Sequence, residues 1–194
     1  MSAALDEWRE ACREVFDEIE PVQARVDRTP GGRRGLTAQI NYAYAMLIAA
    51  HFQRFCRALH REAAEVLVAQ MSDPALADVM EGLLAQDLRL DRGNPTARNL
   101  GVDFARFGFR FWDAVESRDR RNSHRKTELE RLCEWRNAIV HGDVERKQMA
   151  GRLVPRDLEL KDCTNWRQAL GSLVDTFDEV LAARCEELGC AEPW

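Results

Sequence analysis

Glycine and proline are scarce in this chain, 11 and 6 of its 194 residues, which argues against a turn-rich β architecture and for helices. No apolar run approaches the roughly 18 residues that a membrane span needs. The opening Met1-Ser2-Ala3-Ala4-Leu5-Asp6-Glu7 lacks the basic-then-apolar order of a secretory leader. The expectation is a soluble cytoplasmic protein with no membrane partner. The six cysteines, Cys12, Cys56, Cys133, Cys163, Cys185 and Cys190, contain no Cys-x-x-Cys pair and mostly fall on apolar helical positions. Reduced core thiols are therefore expected, with neither a metal site nor a disulfide framework. GxSxG, P-loop and HExxH patterns are all missing, which argues against a classical hydrolase.

What the chain does hold is charge, at 31% of residues, with a net charge of -5. A mildly acidic protein does not coat nucleic acid through its global field, although a local basic cleft remains open to it. The length suits one domain with a substantial core.

Leu5, Trp8, Cys12, Val15, Ile19, Val22 and Val26 alternate steps of three and four, predicting an N-terminal helix over 1–28 with one buried seam, kinked or broken at Pro21. Arg28 to Gly35 reads as a loop. From Leu36 to about Met71, Ile40, Tyr44, Leu47, Ile48, His51, Phe55, Leu59 and Val66 predict one very long helix or two in line, the spine of a bundle. His51 and His60 on or near its apolar face are nine residues apart and fit no metal spacing, so packing is expected of them. Ser72-Asp73-Pro74 starts a helix expected to bury Leu76, Val79, Met80, Leu83, Leu84 and Leu88. Gly93-Asn94-Pro95-Thr96 is a turn. A helix with Phe104, Phe107, Phe111, Trp112 and Val115 follows, its rings expected in the core or a dimer interface. Arg118, Arg120, Arg121, Arg125 and Lys126 form the densest positive cluster. It is a candidate phosphate-holding patch because it leads into the next helix. Asp143 to Asp162 reads as an irregular connection, and a last helix capped at Thr164 buries Trp166, Leu170, Leu173, Val174, Phe177, Val180, Leu181 and Cys185.

The stretch that stands out is Glu134-Trp135-Arg136-Asn137-Ala138-Ile139-Val140-His141-Gly142. An apolar stripe through Leu129, Leu132, Cys133, Ile139 and Val140 places Arg136 near its middle, so the guanidinium must face an acid or a polar cleft. Asp175, Asp178 and Glu179 of the last helix are the candidate acids. Asn137 and His141 are four apart on one flank, and Gly142 supplies a helix stop. Arg136 and His141 point about 140° apart on an unbroken helix, so their convergence needs the helix end, the long arginine stem or a second copy of the motif.

Arg136-Asn137-Ala138-Ile139-Val140-His141 resembles the Arg-x-x-x-x-His signature, with a polar residue after the arginine, of the HEPN superfamily. Its members are all-helical, and many are metal-independent ribonucleases. The order of elements over 36–188 looks like the stand-alone bacterial HEPN proteins of toxin and defence type. The resemblance implies an all-α up-and-down helical bundle, a single domain over 1–194 with one long central helix. It implies RNA as substrate, a homodimer that brings two motifs into one cleft, and neither cofactor nor metal. It leaves room for an antitoxin protein as a further partner. His141 would act as general base or acid, Arg136 would hold the scissile phosphate, and Asn137 would orient His141 or the substrate. An acid is expected near Gln53 by the same resemblance, and the sequence departs from it there. The competing reading is structural: Arg136 salt-bridged to the last helix and His141 capping its own helix end, in a non-catalytic helical scaffold or an accessory protein that binds nucleotide or RNA.

Overall fold

The computed structural model describes residues 1–27, 34–145 and 157–194, all-helical with no strand among them. Of the predicted loop Arg28 to Gly35, residues 28–33 lie outside the described residues, and residues 34 and 35 open the next helix and not a loop; most of the predicted irregular connection, residues 146–156, also lies outside the described residues. No helix among the described residues is long and apolar enough to cross a membrane.

The spine is real and unbroken. Helix α3, Arg34–Ala69, runs for 36 residues. At 1.5 Å per residue that is about 54 Å. It touches α1 (Ala3–Ala11), α2 (Asp17–Asp27), α4 (Pro74–Ala85), α5 (Arg89–Arg92), α6 (Ala97–Phe104), α8 (Asn122–Val140) and the last helix, α9 (Leu160–Glu187). Helix α7 is Phe111–Arg118. Contact from several sides explains why α3 buries a wide arc, Tyr44, Ile48, Phe52, Phe55, Cys56, Leu59 and Ala63, where a surface helix would bury a stripe.

The N-terminal helix departs from its predicted seam in an instructive way. Between α1 and α2, residues Cys12–Phe16 form a π-helical turn, which inserts one extra residue into the helical path. Upstream, Leu5 and Trp8 are buried as expected; downstream the fully buried positions are one residue later than expected, while Val15 and Ile19 stay half-buried against the core. Phe16 at 0% exposure replaces Val15, and Gln23 at 3% replaces Val22, which is 54% exposed. Pro21 neither breaks nor ends the helix: it sits inside α2. Its ring locks a helical φ and removes one backbone hydrogen bond without dictating a stop.

Three further expectations need correction. Helix α4 starts as predicted, with Asp73 Oδ1 accepting from Ala75 N and Pro74 in the first turn. It buries Leu84, but Leu76, Val79 and Leu83 are 52%, 57% and 62% exposed. Periodicity identifies an apolar face; it does not supply a neighbour to cover it. The aromatic segment is two helices and not one, separated by a short 3₁₀ turn and Gly108, whose φ of +75° is the left-handed conformation glycine favours. The break lets Phe104 and Phe111 stack at 4.5 Å, with Phe177 of α9 against Phe111 at 4.8 Å. These rings belong to the core. Helix α9 starts at Leu160, earlier than the predicted Thr164 cap, because Glu159 and Asp162 form a reciprocal capping box.

Candidate functional site

Helix α8 positions the motif. Its first residue, Asn122, is fully buried and donates through Nδ2 to Val115 O at 2.8 Å. Its buried face then turns gradually around the axis. Leu129, Leu132 and Cys133 are buried first, and the last turns are buried through Trp135 and Ala138, while Val140 is 51% exposed. Trp135 packs on Tyr42 of α3 with ring centroids 6.3 Å apart. Arg136 is thus displaced from the middle of the stripe to its half-buried edge. The fixed-angle stripe drawn from sequence misses this because α8 changes neighbours along its length.

The helix ends as the sequence predicts. Gly142 has φ +65°, Gly142 N donates to Ile139 O at 3.2 Å, and Asp143 N donates to Ala138 O at 2.9 Å. This is a Schellman closure. His141 is the residue before the glycine, with φ -89° and ψ 0°. Its side chain is exposed and makes no hydrogen bond or ion pair among the described residues.

Arg136 has none of its expected partners. Asp175 pairs with Arg9 at 3.0 Å. Asp178 accepts from Ser2 N at 3.1 Å and from Trp194 Nε1 at 3.3 Å. Glu179 is exposed. Among the described residues Arg136 contacts Asn137 Oδ1, at a long 3.5 Å, and forms no ion pair. Asn137 Oδ1 in turn accepts from Asn94 Nδ2 at 2.7 Å. The turn carrying Asn94 is fixed from α3: Gln53 Nε2 donates to Leu90 O at 2.7 Å and to Gly93 O at 2.8 Å. This accounts for the amide where an acid was expected, since both partners are carbonyls and a carboxylate has no proton to give them.

The basic cluster is not beside the motif. It sits around the start of α8, 19 residues before His141. The separation along the axis is about 28 Å. Arg121 Nε is 2.9 Å from Asp119 Oδ2, and Arg125 Nη1 reaches the same oxygen at 2.9 Å and Asn122 Oδ1 at 2.6 Å. Lys126 pairs with Glu116 at 3.0 Å and lies 4.7 Å over the Trp112 ring. The two guanidiniums hold the Asp119 carboxyl well below its usual range, at about 2. Arg118 and Arg120 are exposed and make no ion pair among the described residues. The candidate phosphate-holding patch and His141 thus lie at opposite ends of α8.

The other singled-out groups are structural. His60, 1% exposed, has Nε2 3.1 Å from Asp103 O and sits edge-on to Phe104 and Phe107. Burial pushes its pKa down. His51 stands edge-on to Phe16 at 5.5 Å. The cysteines are free thiols, and burial pushes Cys133, Cys163 and Cys185 up to about 12. Asn94 and Gln53 are what sequence reasoning missed. The Gly93-Asn94-Pro95 turn was visible, but nothing in it names Asn137, 43 residues later, as its partner. No protein-family model, curated protein or solved structure matches the chain.

Proposed function

We propose that the protein is a metal-independent endoribonuclease of HEPN type, acting as a homodimer through Arg136, Asn137 and His141. The observation that carries this reading is that Arg136 is half-buried without a carboxylate among the described residues, one residue from an anchored amide and on the helix that ends in an exposed imidazole. A structural arginine would have an acid; the acids expected for that role are engaged elsewhere or exposed.

In the proposed reaction the ribose 2′-oxygen attacks phosphorus in line and the bond to the 5′-oxygen breaks. Neutral His141 takes the 2′-hydroxyl proton, and a protonated imidazole gives one to the departing 5′-oxygen. Arg136 stabilises the charge that develops on the non-bridging oxygens. The products are a 2′,3′-cyclic phosphate and a 5′-hydroxyl. On α8 the two side chains leave the helix about 140° apart, so a second copy supplies the facing half of the cleft. Val140, 51% exposed beside His141, is an apolar contact for that copy.

The test is incubation of purified protein with total tRNA and a structured RNA in EDTA, beside His141→Ala. Cleavage by the unaltered protein only, leaving cyclic phosphate ends, supports the proposal; no cleavage across several RNAs counts against it. A second reading, a non-catalytic scaffold, is favoured by the exposed Leu76, Val79 and Leu83 on α4. It predicts that expression is harmless with or without His141.

A further inference from the structure

We infer that Asn94 is a positioning residue that decides which atom of Asn137 the site offers to its ligand. The inference rests on the reading of Arg136, Asn137 and His141 as a phosphate-acting site. Asn94 is 8% exposed, and its Nδ2 donates to Asn137 Oδ1 at 2.7 Å. The nearer Arg136 nitrogen lies 3.5 Å from that same atom. A guanidinium cannot accept a hydrogen bond, so the amide atom turned towards it has to be the oxygen. Two donors thus claim Oδ1, and the Asn137 NH2 group is left over, donating to no acceptor among the described residues. Arg136 and Asn137 together then present donors only. That chemistry takes the non-bridging oxygens of a phosphodiester and gives nothing to a donor.

The turn that carries Asn94 is held on three sides. Its own carbonyl accepts from Thr96 N and from Asn99 Nδ2, both at 2.8 Å. Gln53 holds Leu90 O and Gly93 O from α3. Asp103, at 0% exposure, accepts from Arg89 N at 3.0 Å and Leu90 N at 2.8 Å. Asn94 is a fixed donor, able to impose an orientation on an amide that would otherwise turn.

The experiment is a cycle of Asn94→Ala, Asn137→Ala and the double variant, with two readouts. Side-chain nitrogen NMR with a 2′-O-methyl RNA hexamer, which lacks the attacking hydroxyl, follows Asn137 Nδ2 and Arg136 Nε directly. The hexamer should shift both signals in the unaltered protein, and only the Arg136 signal in Asn94→Ala. In cleavage of the unmodified hexamer, each single variant should lower kcat about tenfold, the loss of one hydrogen bond to a charged group, with little change in KM. The double variant should be no slower than Asn137→Ala alone. Asn94→Asp keeps the side chain's size and sets an oxygen against Asn137 Oδ1. It should also silence the Asn137 response, which keeps the test decisive where the alanine variant unfolds. Additive losses, or an undiminished Asn137 response in both Asn94 variants, would overturn the positioning role and leave the ribonuclease reading intact. A hexamer that shifts neither signal, with no cleavage, would remove the ribonuclease reading and this inference with it.

Discussion

At the start of α8, Arg121 and Arg125 share the Asp119 carboxylate and Lys126 has Glu116; in its last turns, Arg136 has only a neutral amide. The helix dipole accounts for the first arrangement: cations near a helix N-terminus face its positive end and need carboxylates beside them. Arg136 lies before the last turn of α8, and its half-buried guanidinium has no carboxylate among the described residues. In the dense basic run, Arg121, Arg125 and Lys126 are paired with carboxylates while Arg118 and Arg120 make no ion pair among the described residues; in the sparser motif Arg136 makes none.

Substitutions at the two ends should break the molecule in different ways. His141→Ala should have the largest effect, lowering RNA cleavage by about 10²–10⁴-fold, with an unchanged melting temperature because the side chain is exposed. At the other end, Arg125→Ala should cost about 1 kcal/mol in denaturant unfolding, two hydrogen bonds being lost from a side chain only 16% exposed. Cleavage should be unaffected. Gly142→Ala joins the two effects: a non-glycine residue at φ +65° costs about 1 kcal/mol, and it should also slow cleavage by misplacing His141. The smallest effect is a pH dependence confined to the basic end. Asp119 is held at about 2 when folded, below its ordinary unfolded value of about 3.9. Its contribution to stability is complete above that unfolded value and is lost as pH falls through about 2. Asp119→Asn should flatten the acid limb of an unfolding titration over that range.

Much of the helical frame is legible in the sequence because it depends on local signals. The apolar run through Tyr44, Ile48, Phe55 and Leu59 is long enough to define α3, Asp73-Pro74 starts α4, and Gly142 ends α8. What is not legible depends on neighbours. The π-helical turn at Cys12–Phe16 moves the seam by one residue with no change in composition to announce it. The face of α4 is amphipathic on paper and exposed in the fold. For the site, the sequence singles out Arg136, Asn137 and His141 and the helix stop that follows them. It cannot show that Asp175 and Asp178 are engaged by the N-terminal segment, or that Asn94 reaches Asn137. Those facts arise from segments far apart in the chain.

Whether Arg136 is held ready for a phosphate or serves as a structural residue is decided by Arg136→Ala, with melting temperature and RNA cleavage in EDTA measured on the same preparation. A phosphate-holding Arg136 gives a melting temperature within a few degrees of the unaltered protein and a loss of cleavage of about 10²–10³-fold. A steep fall in melting temperature, in a protein whose unaltered form cleaves no RNA, would contradict that role and make Arg136 a structural residue.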